Sequence, residues 1–291
     1  ETESLPAFVV LNDGRGGPNG GASNWTSGFL PSQHQGVELR SGKTPVRDLF
    51  PAIEQPKGSD AAARDFLQKL NARHAGRSGA DAMLSARMRS YELAARMQLS
   101  AGETLDLTRE NQGTLNLYGI GREPTDSFGR RCLLARRLVE RGVRFVQIFL
   151  EEQPWDSHVD LADNHRAACQ RTDRPVAGLL RDLKQRGLLD STLVIWGGEF
   201  GRTPTSQKSG NIYTGRDHNM QGFTTWLAGG GVRGGMAHGE TDEFGHKAVR
   251  DRVSVHDFHA TVLHLLGLHH QKLFYTRSGL KERLTGFTPP R

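Results

Sequence analysis

The chain has few cysteines, few aromatic residues and no long apolar run. Its two cysteines, Cys132 and Cys169, lie in separate segments of helical pattern, which argues against a disulfide-framework protein and leaves the redox compartment open. No apolar run approaches the ~20 residues of a membrane-spanning helix, and no signal-peptide pattern opens the chain. We therefore expect no membrane span.

Glycine and positive charge are abundant: 35 of the 291 residues are glycine, and the formal charge is +6. The length fits one large α/β domain or two small ones and suffices for a buried core. The charge favours anionic partners, without choosing between nucleic acid, an acidic polymer and a phosphate or sulfate ester. Nucleic-acid binding is not favoured, because neither an aromatic-basic module nor zinc-finger spacing accompanies the charge.

The first part of the chain divides into a strand, a loop and a helical region. Residues 5–11 have a strand pattern that starts almost at once, which indicates that the chain begins inside a longer protein. Residues 12–58, rich in Gly, Pro, Ser and Asn, are predicted to be a long loop excursion. Residues 59–118 are predicted to be a helical insertion or cap, and the methionines at helical spacing within it are predicted to pack in the core.

Helices and strands alternate in the second half of the chain, which predicts an α/β fold with parallel neighbouring strands. A basic amphipathic helix is predicted to end at Gly142. The next helix is predicted to begin at Thr172 or Asp173, with Pro175 in its first turn, and to end at Gly187. The remaining predicted elements are strands over residues 143–150, 191–196 and 223–228, a loop over 197–221, a glycine turn over 229–235 and a helix over 256–266.

Acids and histidines form three clusters in this half, within residues 155–158, 198–202 and 215–218. The first two clusters directly follow predicted strands, and the loop before the third is long enough to return to the same strand ends. Ligands of open α/β sheets collect outside the carboxyl ends of the strands. The clusters therefore predict a site that holds a metal ion, an anion or both.

Asp156 and His158 are two positions apart on a loop after a strand, where both side chains can lean to one side. A carboxylate beside an imidazole suits zinc, manganese or iron better than calcium alone. The alternative is that Asp156 caps a turn while His158 is simply exposed. His165 is either a third ligand or a solvent-facing helix residue.

Glu199 follows two glycines, which allow close approach of an ion or a substrate. Arg202 either clamps two oxygens of a sulfate or phosphate group or pairs with Glu199 and holds the loop in shape. His218, beside Asp217, is the histidine that we most expect to contact a metal ion; the alternative is a loop histidine bonded to a backbone carbonyl.

The run over residues 187–204, with Gly-Gly-Glu-Phe-Gly-Arg-Thr-Pro, and the run Gly-Arg-Asp-His over residues 215–218 resemble the DUF1501 family, a sulfatase-like branch of the alkaline phosphatase superfamily. The resemblance extends from the first strand to the helix over residues 255–267. It implies one alkaline-phosphatase-like domain, a three-layer α/β/α sandwich with a mostly parallel central sheet that is incomplete at its N-terminus.

The resemblance also implies a metal-dependent hydrolase of anionic sulfate or phosphate esters, of small molecules or polysaccharides, with zinc, manganese or calcium as the divalent ion. By position, Asp156 and His158 would be the acid and imidazole of a metal site, and His218 its distal imidazole. Glu199 is similar to the acid that relatives place after the next strand. Phe200 stands where relatives usually have a second histidine.

Relatives carry a first metal-binding acid and a nucleophilic Ser, Thr or modified Cys upstream of the segment that resembles residues 5–11. Neither Cys132 nor Cys169 lies in a Cys-x-Pro-x-Arg motif, so the nucleophile is unassigned. We therefore expect the chain to be the C-terminal part of an enzyme. Relatives are typically exported proteins, so the resemblance also implies export. The alternative is a truncated or degenerate member of the same fold that serves as a non-catalytic binding or structural module.

Overall fold

The structure is a computed structural model, and it describes residues 4–28, 30–40, 56, 58–78, 88, 92–93, 96–97, 102–277 and 279–286. The fold mixes helices and strands and divides into two compact units. One unit contains residues 1–153 and 170–179, and the other contains residues 154–169 and 180–291. The described residues include the helices α1 (Ser59–Ser78), α2 (Gln112–Leu117), α3 (Asp126–Glu140), α4 (Leu161–Gln185) and α5 (Val255–Leu265).

The first unit contains a three-stranded parallel sheet in the order β2-β1-β3. Its strands are β1 (Phe8–Asn12), β2 (Val37–Arg40) and β3 (Phe145–Ile148). Strand β1 is the central strand, which agrees with its continuous apolar pattern and with the complete burial of its two valines and Leu11. Strand β2 lies within the expected loop excursion, so a regular strand interrupts that polar segment.

Helix α3 packs beside this sheet as the amphipathic pattern predicted. Its residues Leu134 and Leu138 join Leu11 and Leu39 in the buried core. The helix ends at Glu140, and Gly142 has φ 84, a left-handed conformation that terminates a helix at little cost. Most of the segment that contains the methionines at helical spacing lies outside the described residues, but Met97 is buried in this same core, as predicted.

The second unit contains short antiparallel pairs: β4 (Val194–Trp196) with β7 (Trp226–Ala228), β5 (Gly201–Ser209) with β6 (Ile212–Asn219), β8 (Glu240–Thr241) with β9 (Ala248–Arg250), and β10 (Phe274–Arg277) with β11 (Leu280–Arg283). The prediction of parallel neighbours is therefore wrong for β4 and β7. Parallel neighbours need a long crossover, usually a helix, whereas a hairpin lies between these two strands.

Two further predictions are corrected by the structure. The expected loop over residues 197–221 is largely the β5–β6 hairpin, which turns at Gly210 with φ 61. Helix α4 begins at Leu161, well before the predicted caps, and carries Pro175 in its interior. Proline lacks one backbone donor but does not end a helix whose other residues bury a face, and Ala168, Thr172 and Leu183 are buried on α4.

The last helix lies within one residue of its predicted bounds, although none of its residues is buried. Ser254 and Asp257 form a reciprocal capping box at its start, and Gly267, with φ 76, follows its end. Three consecutive glycines from Gly229 to Gly231 have positive φ, as a glycine turn requires. Within the described ranges, no helix combines the length and the apolar character needed to cross a lipid bilayer.

Candidate metal centre

Two neighbouring segments of the second unit hold the candidate site. Asp156 and His158 lie on the loop before α4, whereas Arg202 and His218 face each other as register partners on β5 and β6. The backbone N–H of Arg216 donates to the carbonyl of Ser157 at 3.0 Å, which joins the hairpin to the loop. The pairing therefore brings together residues that are about 60 positions apart in the chain.

Asp156, His158 and His218 converge through one atom each. The Oδ1 atom of Asp156 lies 2.9 Å from Nε2 of His158 and 3.1 Å from Nε2 of His218. The two imidazole Nε2 atoms are 3.1 Å apart. Side-chain exposures of 15% for Asp156 and 46% for His218 leave the group accessible from solvent. We refer to these three atoms as the donor triangle.

The orientation of His158 is set from its other ring nitrogen. Its Nδ1 atom lies 2.5 Å from Oε1 of Gln207 on β5. An amide oxygen only accepts hydrogen bonds, so Nδ1 carries the hydrogen, and the Nε2 atom, which faces the donor triangle, offers its lone pair to a cation whenever the ring is neutral. Ligating histidines usually make this kind of second hydrogen bond.

The donor triangle fits a divalent cation. The Asp156 oxygen and an imidazole lone pair repel each other at these distances unless a proton or a bound cation lies between them. Ligands at about 2.1 Å from one ion lie about 3.0 to 3.4 Å apart at octahedral or tetrahedral angles, close to the separations observed here. One carboxylate with two imidazoles is a donor set for zinc, manganese or iron.

Arg202 also contacts the Oδ1 atom of Asp156. Burial raises the pKa of the Asp156 carboxyl, but the hydrogen bonds from His218 and Arg202 and the nearby positive charges outweigh this effect and lower the pKa overall. The carboxylate is therefore ionised at neutral pH, as a metal ligand must be. Arg202 reaches Glu199 only at 3.7 Å, so its closer acidic partner is Asp156 and not the predicted one.

The other predicted site residues lie outside the donor triangle. Glu199 is 59% exposed, and Asp217 uses its carboxylate to accept the backbone N–H of His218 at 2.7 Å. His165, on α4, is partly buried with its ring 5.5 Å from that of Trp155. None of these three side chains belongs to the group of described residues that could hold one ion.

Comparison with protein families identifies a family for the whole chain. The family model described as "Protein of unknown function (DUF1501)" matches residues 1–291. The chain belongs to the DUF1501 family. A comparison with curated proteins found no match, and neither did a comparison with solved structures.

Three residues of this DUF1501 member shape the site without having been predicted to do so. Gln207 orients His158, and the ring of Phe200 packs 4.4 Å from that of His218. At Gly215 an added Cβ would lie 1.8 Å from the carbonyl oxygen of His158, so only glycine fits. Gly215 and Phe200 lie inside the two sequence motifs that predicted the site, so a structural role for them could have been inferred from the sequence. Gln207 is one of several polar residues on β5, and no sequence signal distinguishes it.

Proposed function

We propose that this chain is a sulfatase-like or phosphatase-like metal-dependent hydrolase domain that acts on anionic esters. The observation that supports the proposal is the donor triangle of Asp156, His158 and His218 with the guanidinium of Arg202 beside it. A cation site next to a fixed arginine suits a substrate that carries a negatively charged transferable group.

Each residue of the site has a role in this proposal. Asp156, His158 and His218 would hold a divalent ion, and zinc, manganese and calcium are the candidates. When bound, such an ion supplies polarisation of the ester oxygen and activation of the attacking group. Arg202 would neutralise charge on the transferred group, and Gln207 keeps the His158 ring in its ligating tautomer.

Glu199 enters the proposal by resemblance alone. It follows β4, where relatives place a metal-binding acid, and its side chain is exposed near Arg202. A change of side-chain rotamer would be needed before its carboxylate could join the donor triangle. We therefore assign the holding of the ion first to the three donors that already converge.

The fold supports the proposal at a coarse level. A three-layer α/β/α sandwich of the alkaline-phosphatase type is part of the proposal, and the parallel strands β2-β1-β3 are compatible with its central sheet. The net charge of +6 favours anionic esters of small molecules or polysaccharides as substrates. Export from the cytoplasm is likewise proposed from the family resemblance.

Metal analysis of purified protein tests the proposal directly. After chelation and reloading with zinc, manganese or calcium, the unsubstituted chain is expected to retain a stoichiometric amount of at least one of these ions, whereas Asp156→Asn and His218→Ala lose it. His238→Ala is the matched control, because His238 is exposed and distant in sequence from the motifs. Equal metal content in all four proteins would contradict the proposal.

Turnover is then measured with aryl sulfates and aryl phosphates as probes, with and without the ion that the chain retains. Metal-dependent hydrolysis that disappears in Asp156→Asn supports the hydrolase. The second candidate function is a non-catalytic binding module, which is favoured by the position of Glu199 outside the donor triangle. Stoichiometric metal without turnover of either ester would select that module.

A further inference from the structure

A second charged group lies in the first unit, at the carboxyl edge of its parallel sheet. Asp13 and Arg15 directly follow β1, and Glu151 follows β3, the parallel neighbour of β1. Arg131 comes from α3 and Arg171 from α4. We call these five residues the arginine cluster. Their position is the edge at which ligands of parallel sheets collect.

The arginine cluster is a chain of alternating charges. Asp13 pairs with Arg131 at 2.6 Å and with Arg15 at 3.2 Å. Glu151 lies 3.0 Å from Arg15 through one oxygen and contacts Arg171 through the other. Arg131 and Asp13 are buried, with side-chain exposures of 1% and 0%, whereas Arg15 is 56% exposed. The cluster therefore has a buried end and an open end.

Hydrogen-bond donors in the cluster exceed the acceptors. Each guanidinium offers five N–H groups, and the cluster contains three guanidiniums against two carboxylates. The Nε atoms of Arg131 and Arg171 are buried without a hydrogen-bond partner. The Glu151 oxygen near Arg15 is close enough for an ion pair but is not aligned for a hydrogen bond. Buried donors without partners are rare in folded proteins and call for an explanation.

The positive charge of the cluster is also incompletely compensated. Burial and the charges of Arg15 and Arg131 lower the pKa of Arg171, although Asp13 opposes this effect. Glu123 adds a favourable charge to Arg15 without forming an ion pair with it. A bound anion would supply both the missing acceptors and the missing negative charge.

The loop after β1 leaves room for such a ligand. Its sequence from Asp13 is Asp-Gly-Arg-Gly-Gly, and a Cβ added to Gly14 or Gly16 would meet no atom within 4 Å. Space at these positions, together with the exposed Arg15 side chain, leaves the Arg15 end of the cluster open to a small ligand. Glycine commonly marks places where a ligand approaches the backbone closely.

We propose that the arginine cluster binds a tetrahedral oxyanion, phosphate or sulfate, through the guanidiniums of Arg15 and Arg171. Planar guanidiniums match the oxygens of these anions in pairs, and Arg131 stays engaged with the buried Asp13. Ion pairing alone accounts for the two carboxylates but leaves the buried Nε donor of Arg171 without an acceptor. The proposed site shares no residue with the donor triangle and does not depend on a metal ion.

The experiment titrates inorganic phosphate and, separately, sulfate into the purified chain by calorimetry, with chloride replaced so that ionic strength is constant. The unsubstituted chain is expected to bind at least one of the two anions saturably, and Arg15→Gln and Arg171→Gln each to weaken binding tenfold or more, about 1.4 kcal/mol. Arg130→Gln is the matched control, because Arg130 lies on α3 in a partly exposed pair with Asp126. Comparison of the two titrations shows which anion the site prefers.

Several results would overturn the proposal. No saturable binding of either anion contradicts it, and so does equal affinity in the unsubstituted chain, Arg15→Gln and Arg171→Gln. Arg15→Gln keeps the test valid if Arg171→Gln fails to fold, because the Arg15 side chain is largely exposed. His218→Ala is expected to bind the anion normally; binding lost there but kept in Arg15→Gln would place the anion at the metal centre instead.

Discussion

The Nδ1 atom of His158 lies 2.5 Å from the Oε1 atom of Gln207, so a side chain of β5 holds the ring of a residue on a separate loop. This contact selects the tautomer whose Nε2 lone pair points toward Asp156 and His218. Loss of such a second hydrogen bond typically costs about 10-fold to 100-fold in metal affinity. Gln207 therefore supports the donor triangle without touching the ion.

We expect Gln207→Leu to weaken divalent-ion affinity by about 10-fold to 100-fold, because the His158 ring loses the hydrogen bond that its Nδ1 atom makes. Gln207→Glu is expected to keep or increase the affinity, since a carboxylate also accepts the Nδ1 hydrogen. Competition with a chromophoric chelator measures both affinities. Gln185→Leu, an exposed position at the end of α4, is the control, and unchanged affinity in Gln207→Leu would remove this role.

The core of the candidate site was predictable from sequence for a physical reason. Asp156 and His158 share one loop, and His218 lies in a motif whose residues can pair with the segment containing Arg202, so few arrangements satisfy all the local patterns. Gln207 was not predictable, because a polar residue on a polar hairpin strand produces no periodic signal. Glu199 was placed in the site by analogy, and its exposed side chain shows that sequence position does not fix a rotamer.

The fold was predictable where apolar residues dominate and less so where polar residues do. The buried strand β1 and helix α3 produce strong periodic patterns, and both occur where expected. The start of helix α4 was predicted too late, because Pro175 has the sequence context of a first-turn proline. In the structure the rest of the helix overrides this local preference, and Pro175 lies in the helix interior. The β5–β6 hairpin was missed because its strands are polar on both faces.

Arg202→Gln is expected to have opposite effects on cations and anions. Removing one positive charge beside Asp156 should tighten divalent-ion binding by about tenfold, since a unit charge a few ångströms away is worth more than ~1.4 kcal/mol at an effective dielectric constant of about 20. Inhibition of ester hydrolysis by inorganic sulfate or phosphate should weaken by a similar factor. Metal titration and inhibition assays measure the two effects.

Arg216→Gln is the control for this charge effect, because Arg216 lies on the same hairpin and donates to Ser206 at 2.9 Å instead of to the donor triangle. It should leave the metal affinity within about twofold of the original value. If Arg202→Gln weakens metal binding, the guanidinium orients Asp156 for the ion and does not compete with it.

Gly215→Ala should damage the site through the backbone. An added methyl group would lie 1.8 Å from the His158 carbonyl oxygen, so β6 must move away from the loop. Overpacking of this kind costs about 1 to 3 kcal/mol, and displacement of His158 should also lower the metal affinity. Gly234→Ala, where a Cβ meets no atom within 4 Å, is the control. Unfolding in urea and chelator competition should show both losses together; unchanged values would mean that β6 lies farther from His158.

The buried pair between Asp13 and Arg131 should control stability at acid pH. Burial raises the pKa of the Asp13 carboxyl, but hydrogen bonds from Arg15 and Arg131 outweigh it and lower the pKa from 3.8 to about 2. The folded protein thus binds this proton less readily than the unfolded chain does. Its stabilising contribution is fully present above the unfolded pKa, and it disappears as pH falls through about 2.

Asp13→Asn is expected to lower the free energy of unfolding at neutral pH by about 3 to 5 kcal/mol, because Arg131 is left buried without its anionic partner. The part of this loss that depends on ionisation, about 2 kcal/mol, should vanish as the pH falls from about 5 to about 2, so the difference between the two unfolding free energies narrows without reaching zero. Urea titrations across this range measure the difference. Asp163→Asn, which removes an exposed carboxylate paired with Arg166, should cause almost no change at any pH. A difference between the original chain and Asp13→Asn that stays constant with pH would mean that the carboxylate contributes by shape and hydrogen bonding, and not by its charge.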